Sequence, residues 1–180
     1  EALAAAGRPL LLTREPGGAP GAERLREFLL AMPSGFDPFG EALLHFAARA
    51  EHVARTLRPA LAAGFTIVSD RFFDSTMAYQ GYGQGADRAA IATLIALLGL
   101  APDLTFILDV PHDVQRRRLV GRTDTADRYE RLGEDFIARV HTGFRVIAAA
   151  HPERCVLIDG AGDVASVHGR ILAIAEARLA

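Results

Sequence analysis

The sequence has no lysine: all 20 of its basic residues are arginine. That excludes a Schiff-base amine, a lysine general base and the lysine of a phosphate-binding loop within these residues. There is a single cysteine, Cys155, which excludes an intrachain disulfide and a cysteine-based zinc cage. It precedes the apolar run 156–158, where a buried, inert thiol is expected. Neither sign of charge dominates, the net being −2, so the electrostatic footprint of a nucleic-acid binder is lacking. No hydrophobic run is long enough for a bilayer. The longest, 89–102, is interrupted by Thr93 and Gly99 and reads as a core or interface helix. The first residues also lack the basic-then-apolar layout of a secretory signal. A reduced, cytoplasmic setting is the expectation, with neither membrane nor nucleic acid as a partner.

What is present is a chain of 180 residues, 50% hydrophobic and 23% charged, the composition and length of one domain with a sizeable core. Residues 9–13, 65–69, 104–110 and 154–159 are short, nearly continuous apolar runs. Unbroken apolar strands are those buried on both faces, as in a parallel sheet covered by helices. Helical periodicity lies between them at 22–31, 38–63, 87–98, 111–120, 131–150 and 163–179. Strands alternating with helices imply right-handed crossovers and a doubly wound α/β layer. Pro59 sits inside the longest helical stretch and predicts a break near Arg58. Residues 1–6 read as the last turns of a helix closed by Gly7, so a β-α unit is expected upstream.

Two strands end in aspartate, Asp70 and Asp109. Ligands of open α/β sheets bind outside the carboxyl ends of the strands, where a carboxylate suits Mg²⁺ in phosphoryl transfer. Arg71 follows Asp70 directly and offers a fork of donors to phosphate oxygens; a local surface ion pair is the other reading of the same dipeptide. The segment 13–18 (TREPGG) also leaves a strand end, and its proline and glycines permit a tight turn with close backbone approach. The helix after Pro38 carries a polar stripe of Glu41, His45, Arg49 and His52. Leu43, Phe46, Ala50, Val53 and Leu57 form the opposite face, expected to be the core face. By periodicity alone the polar stripe is expected in solvent. Six arginines (116, 117, 118, 122, 128 and 131) cluster around the polar segment 121–127, which reads as a mobile loop or a solvated basic face.

TREPGG at 13–18, EALLHFAAR at 41–49, SDRFFDSTMAYQGYGQG at 69–85 and PDLTFILDV at 102–110 together resemble the bacterial thymidylate kinases. The resemblance runs in order from Gly7 to about Asp159. It implies a P-loop NTPase-like parallel sheet with helices on both faces, the nucleoside monophosphate kinase architecture. The implied activity is transfer of the γ-phosphoryl group of ATP to dTMP, giving dTDP, with Mg²⁺ as cofactor and a homodimer as the assembly. It implies that Asp70 and Arg71 lie at the acceptor phosphate and metal. Glu15, Pro16, Ser75, Thr76, Tyr79 and Gln80 fall with the substrate-binding residues, and Arg49 with the arginine that meets a thymine carbonyl. The aromatic that stacks on the base falls at His45 here, a departure, with Phe46 adjacent; either ring is a candidate. The lid corresponds to about 116–131, with Arg118 or Arg122 as its catalytic arginine and Tyr129 and Glu130 facing the thymidylate. The loop 159–163 corresponds to the region flanking adenine, and 91–98 could supply part of a dimer surface.

Such an enzyme requires a phosphate loop, G-x-x-x-x-G-K-[ST], between its first strand and first helix. These residues contain none, and the resemblance places it just before Glu1, so upstream residues carrying it are expected. Without them, MgATP binding and activity would be weak. A non-catalytic homologue that binds dTMP but not MgATP, or a related nucleoside or nucleotide kinase, are the alternatives.

Overall fold

The structure, a computed structural model, describes Leu3, Gly7 and residues 9–31, 36–111, 114, 115, 117, 129 and 132–179. The chain forms two compact units, Glu1–Leu100 and Ala101–Ala180. In the first, β1 (Leu10–Arg14) and β2 (Thr66–Asp70) pair in parallel, with Leu10 opposite Thr66 and Arg14 opposite Asp70. In the second, β3 (Thr105–Asp109) and β4 (Cys155–Asp159) pair in parallel, with Asp109 opposite Asp159. The apolar runs and their parallel sense are therefore as the sequence predicts, and Cys155 is buried and forms no disulfide.

Within the first unit the two faces of this ladder are covered unequally. Successive strand residues point to opposite faces. Leu12 and Val68 oppose each other across the β1–β2 pair and are 69% and 44% exposed, whereas Leu11 and Ile67 on the other face are half-buried. Packing among the described residues of this unit thus covers the Leu11–Ile67 face more than the Leu12–Val68 face.

Helix α1 (Pro20–Ala31) starts with proline, whose missing N–H is one that no helix start needs. Helix α2 (Pro38–His52) is capped by Asp37, whose carboxylate accepts from the backbone N–H groups of Phe39 (3.0 Å) and Gly40 (3.3 Å). The predicted break near Arg58 takes the form of a widened π-helical turn, Val53–Leu57, leading into α3 (Arg58–Ala62). The Arg58 N–H reaches back to the Val53 carbonyl rather than to residue 54. This opens the turn where the Pro59 ring would otherwise meet the carbonyl four residues before it.

After β2 the chain enters α4 (Phe73–Thr76) and a second π-helical stretch, Met77–Gly83. Helical periodicity did not mark this element, because Gly81 and Gly83 weaken it and its aromatics follow no α-helical stripe. Helix α5 (Arg88–Leu98) is capped by Asp87 and closed by Gly99 at φ +60°. The second unit adds α6 (Glu134–Ala150) and α7 (Val164–Leu179). The predicted helix at 111–120 lies mostly outside the described residues.

The core of the first unit is Ala42, Phe46, Phe73, Ala86 and Ile91, flanked by Phe39, Phe72, Met77, Leu94, Ile95 and Leu98. Ala19, Ala22 and Ala48 form a smaller cluster between α1 and α2, where small side chains let the two backbones approach. Of the core face that periodicity assigns to the stretch 38–63, Phe46, Val53 and Leu57 are buried as expected, whereas the solvent assignment of the polar stripe is corrected. Glu41, Arg49 and His52 are buried, while Leu43 is 44% exposed and Ala50 is exposed. The polar stripe faces inward because distant residues supply its partners.

Candidate active site

Parallel register sets the site. β1 and β2 end level, and the Glu15 N–H donates to the Asp70 carbonyl at 2.9 Å, so TREPGG and the Asp70–Arg71 turn leave the same edge side by side. The Glu15–Pro16 peptide is cis, and Gly17 and Gly18 have φ of +138° and +81°. The turn is held from three sides. The Gly18 N–H donates to Glu23 Oε1 (2.8 Å), the Gly18 carbonyl accepts from Thr56 Oγ1 (2.7 Å), and the Pro16 carbonyl accepts from Arg26 Nη1 (2.8 Å).

A Cβ on Gly18 would lie within 2.5 Å of both Thr13 Oγ1 and His52 Cδ2. Gly18→Ala therefore combines a left-handed backbone with a collision against buried groups. It is expected to destabilise by more than about 1 kcal/mol, lowering Tm in a thermal melt by more than about 2 °C.

The buried centre is an ion cluster. Arg49, 3% exposed, donates from Nε to Glu15 Oε2 at 2.6 Å and from Nη2 to Thr76 Oγ1 at 3.2 Å. His52 Nδ1 meets the other Glu15 oxygen at 3.0 Å, and its Nε2 meets Thr13 Oγ1 at 2.8 Å. The Arg49 guanidinium also lies 4.7 Å from the Phe46 ring centroid and 5.4 Å from that of Phe72. Burial holds this guanidinium below the ordinary arginine range, while Glu15 and then Asp74 act in the opposite direction and favour its charged form. Arg49 Nη1 is buried with no hydrogen-bond partner among the described residues. An unused donor on a buried cation is costly, and a carbonyl oxygen entering the site would satisfy it. Beside this cluster, Gln80 Nε2 donates to Glu41 Oε1 at 2.8 Å, tying the second π-helical stretch to α2.

Asp70 and Arg71 lie at the strand tip, both exposed. Arg71 has φ +69°, the only described non-glycine residue with positive φ. That backbone costs a bulky residue about 1–2 kcal/mol and marks a position worth a functional reading. Its carbonyl accepts from Ser69 Oγ at 2.8 Å, and its guanidinium lies 5.0 Å from the Tyr79 ring centroid.

Of the residues singled out by sequence, Glu15, Phe46, Arg49 and Thr76 form one contact network, and Arg71 with Tyr79 forms another. Ser75 and His45 are half-buried, the Ser75 N–H donating to the Phe72 carbonyl at 3.0 Å. Phe46, 7% exposed, belongs to the core. Tyr129 lies in the second unit with its ring stacked on Phe136. Asp109, the other strand-end carboxylate, is held by Arg145 at 2.9–3.2 Å. Arg118, Arg122 and Glu130 lie outside the described residues. Sequence reasoning gave His52 and Thr13 no role in the site, and read Phe72 and Asp74 only as parts of a motif. His52 falls three residues after Arg49 on the same helical face, the one signal that was available.

These features have a close structural counterpart. A crystal structure of thymidylate kinase from Ehrlichia chaffeensis matches with a TM-score of 0.74 at 36% identity, covering 93% of this chain and 80% of that one. A parallel strand pair with a turn and a carboxylate–guanidinium couple at its edge, and this counterpart, define a nucleoside monophosphate kinase. The family described as thymidylate kinase matches residues 1–171. The thymidylate kinase of Pseudomonas fluorescens is 48% identical over 177 residues, 97% of this chain and 84% of that protein. That of Chromohalobacter salexigens is 46% identical over 182 residues, 99% of this chain and 86% of that protein. The chain belongs to the thymidylate kinase family.

Proposed function

We propose that the protein transfers the γ-phosphoryl group of ATP to dTMP, giving dTDP. The observation that carries this reading is the buried Arg49 with its unpartnered Nη1, set in a unit whose strand edge also presents Asp70 and Arg71. A nucleoside monophosphate has two ends to hold, a base carbonyl and a phosphate, and these are two cationic groups of matching kind.

Arg49 donates to a thymine carbonyl, and Thr76 and Gln80 line the same pocket with Ser75. His45 is the ring available to the base, since Phe46 is committed to the core. Glu15 and Pro16 form the wall opposite α2. Arg71 holds the acceptor phosphate and offsets the charge that develops as the phosphoryl group moves, leaning on Tyr79 for its orientation. Such transfer needs two anions in line and preorganised cations rather than covalent help. Asp70 fits Mg²⁺, because it is an exposed hard-oxygen donor at a strand's carboxyl end and that ion commonly takes one or two carboxylates with substrate phosphates. Bound there, the ion would neutralise phosphate charge. Arg118 or Arg122, in a lid at about 116–131, supplies a second guanidinium to the transferred group, with Tyr129 on the thymidylate side.

None of the described helices is long and apolar enough to cross a membrane. The protein acts in the cytoplasm as a single-domain homodimer, with Leu97 of α5, 77% exposed, on the candidate dimer face. ADP release by the full-length protein is expected to be fastest with dTMP, ahead of dUMP, thymidine and other monophosphates. Calorimetric binding of dTMP with no ATP binding and no turnover would instead mark a non-catalytic module.

A further inference from the structure

Glu15 is the hinge of the buried cluster, and its two oxygens face different partners. Oε2 takes the Arg49 Nε at 2.6 Å; Oε1 takes His52 Nδ1 at 3.0 Å. His52 is fully buried, and its second nitrogen ends on Thr13 Oγ1 at 2.8 Å. A carboxylate only accepts, so Nδ1 carries the hydrogen, and in the neutral ring Nε2 accepts from the Thr13 hydroxyl. Thr13 sits on β1, one residue before its last, and is fixed by the ladder. A chain of polar contacts therefore runs from the strand through His52 and Glu15 to Arg49. It ends on the one guanidinium nitrogen, Nη1, that the described residues leave unpaired.

The side-chain bonds of this network run through Thr13, His52, Glu15 and Arg49. Without His52, Glu15 keeps one partner and gains torsional freedom, and Arg49 turns with it. A donor aimed at a base carbonyl loses its aim by a fraction of an ångström, which is enough to weaken an oriented contact. The loop is coupled to the same device, because Gly18 packs directly against the His52 ring and Thr13.

We infer that His52, seated on Thr13, is a positioning residue for nucleobase recognition: it orients the Glu15 carboxylate, which aims Arg49 at the carbonyl of the base. This rests on the reading of Arg49 given above, and the test separates the two.

The experiment compares His52→Gln, His52→Asn and Thr13→Val in the full-length protein. An asparagine amide can place an N–H where Nδ1 donates; a glutamine amide reaches the Nε2 position instead. For His52→Gln, KM for dTMP is expected to rise by about tenfold, with kcat and KM for ATP within about twofold. His52→Asn is expected to return KM for dTMP to within about threefold of the parent. Thr13→Val, which deletes only the hydroxyl, is expected to raise it by about threefold. The Arg49 Nε–H signal in ¹⁵N NMR reports the aim directly. It is expected strongly deshielded in the parent and in His52→Asn, and displaced in His52→Gln, with or without nucleotide. An unmoved Arg49 signal and an unchanged KM in His52→Gln would overturn the inference. So would equal rises in KM for Asn and Gln that simply follow their losses in Tm. A parent protein with no dTMP turnover but the same pattern of Arg49 signals would refute the kinase reading and leave the positioning role standing.

Discussion

Arg71→Gly is expected to leave the fold within about 1 kcal/mol of its original stability while lowering kcat/KM for dTMP by a thousandfold or more. The two halves of this result come from different properties of one residue. Arg71 adopts φ +69°, a conformation open to glycine and strained for arginine. Glycine releases that strain but has more unfolded-state freedom to lose, so the two effects nearly cancel. The contact with Tyr79, at 5.0 Å from the ring centroid, adds about 0.5–1 kcal/mol at a site this exposed. Activity has no such compensation, since an arginine that stabilises a transferring phosphoryl group contributes about 10³–10⁵ in rate. Lysine at this position keeps the charge and loses the fork, and is expected to recover only part of the loss. Steady-state kinetics beside a thermal melt decide the matter. Turnover unchanged in Arg71→Gly would remove the phosphate-holding role assigned to this strand tip.

The second large effect lies at the buried Arg49. Arg49→Met leaves Glu15 and Asp74, which are 4% and 6% exposed, without the cation that shares their pocket. Breaking a buried pair by removing one partner costs about 3–5 kcal/mol, so Tm is expected to fall by roughly 10 °C. Binding of dTMP is expected to fall below detection by calorimetry in the same variant. Combining it with Glu15→Leu removes one of the two uncompensated carboxylates and is expected to restore part of the stability, because both partners of that pair are then gone. Affinity for dTMP is expected to stay lost in the double variant. Recovery of both together would mean that Arg49 acts on the fold alone.

Much of this was legible in the residues. The apolar runs marked the strands, the turn residues of TREPGG marked a loop at a strand end, and Pro59 marked the break that the first π-helical turn resolves. These are local properties, set within a few residues of where they act. The burial of the polar stripe on α2 was not legible by the same means. Periodicity separates two faces of a helix but says which is inward only when charge means solvent. Here Arg49 is buried against Glu15, 34 residues away in sequence, and Glu41 against Gln80, 39 away. A partner at such distance has no signature in the helix itself. The second π-helical stretch was missed for a different reason, since two glycines and an irregular turn leave no repeating apolar stripe to detect.

The level ending of β1 and β2 has a practical corollary. Main-chain bonds, including that from Glu15 to the Asp70 carbonyl, set the separation between the two ends to which base and phosphate recognition are assigned in the proposal. Selectivity for the base can therefore be re-engineered through α2 while the ruler that spans the nucleotide stays the same length.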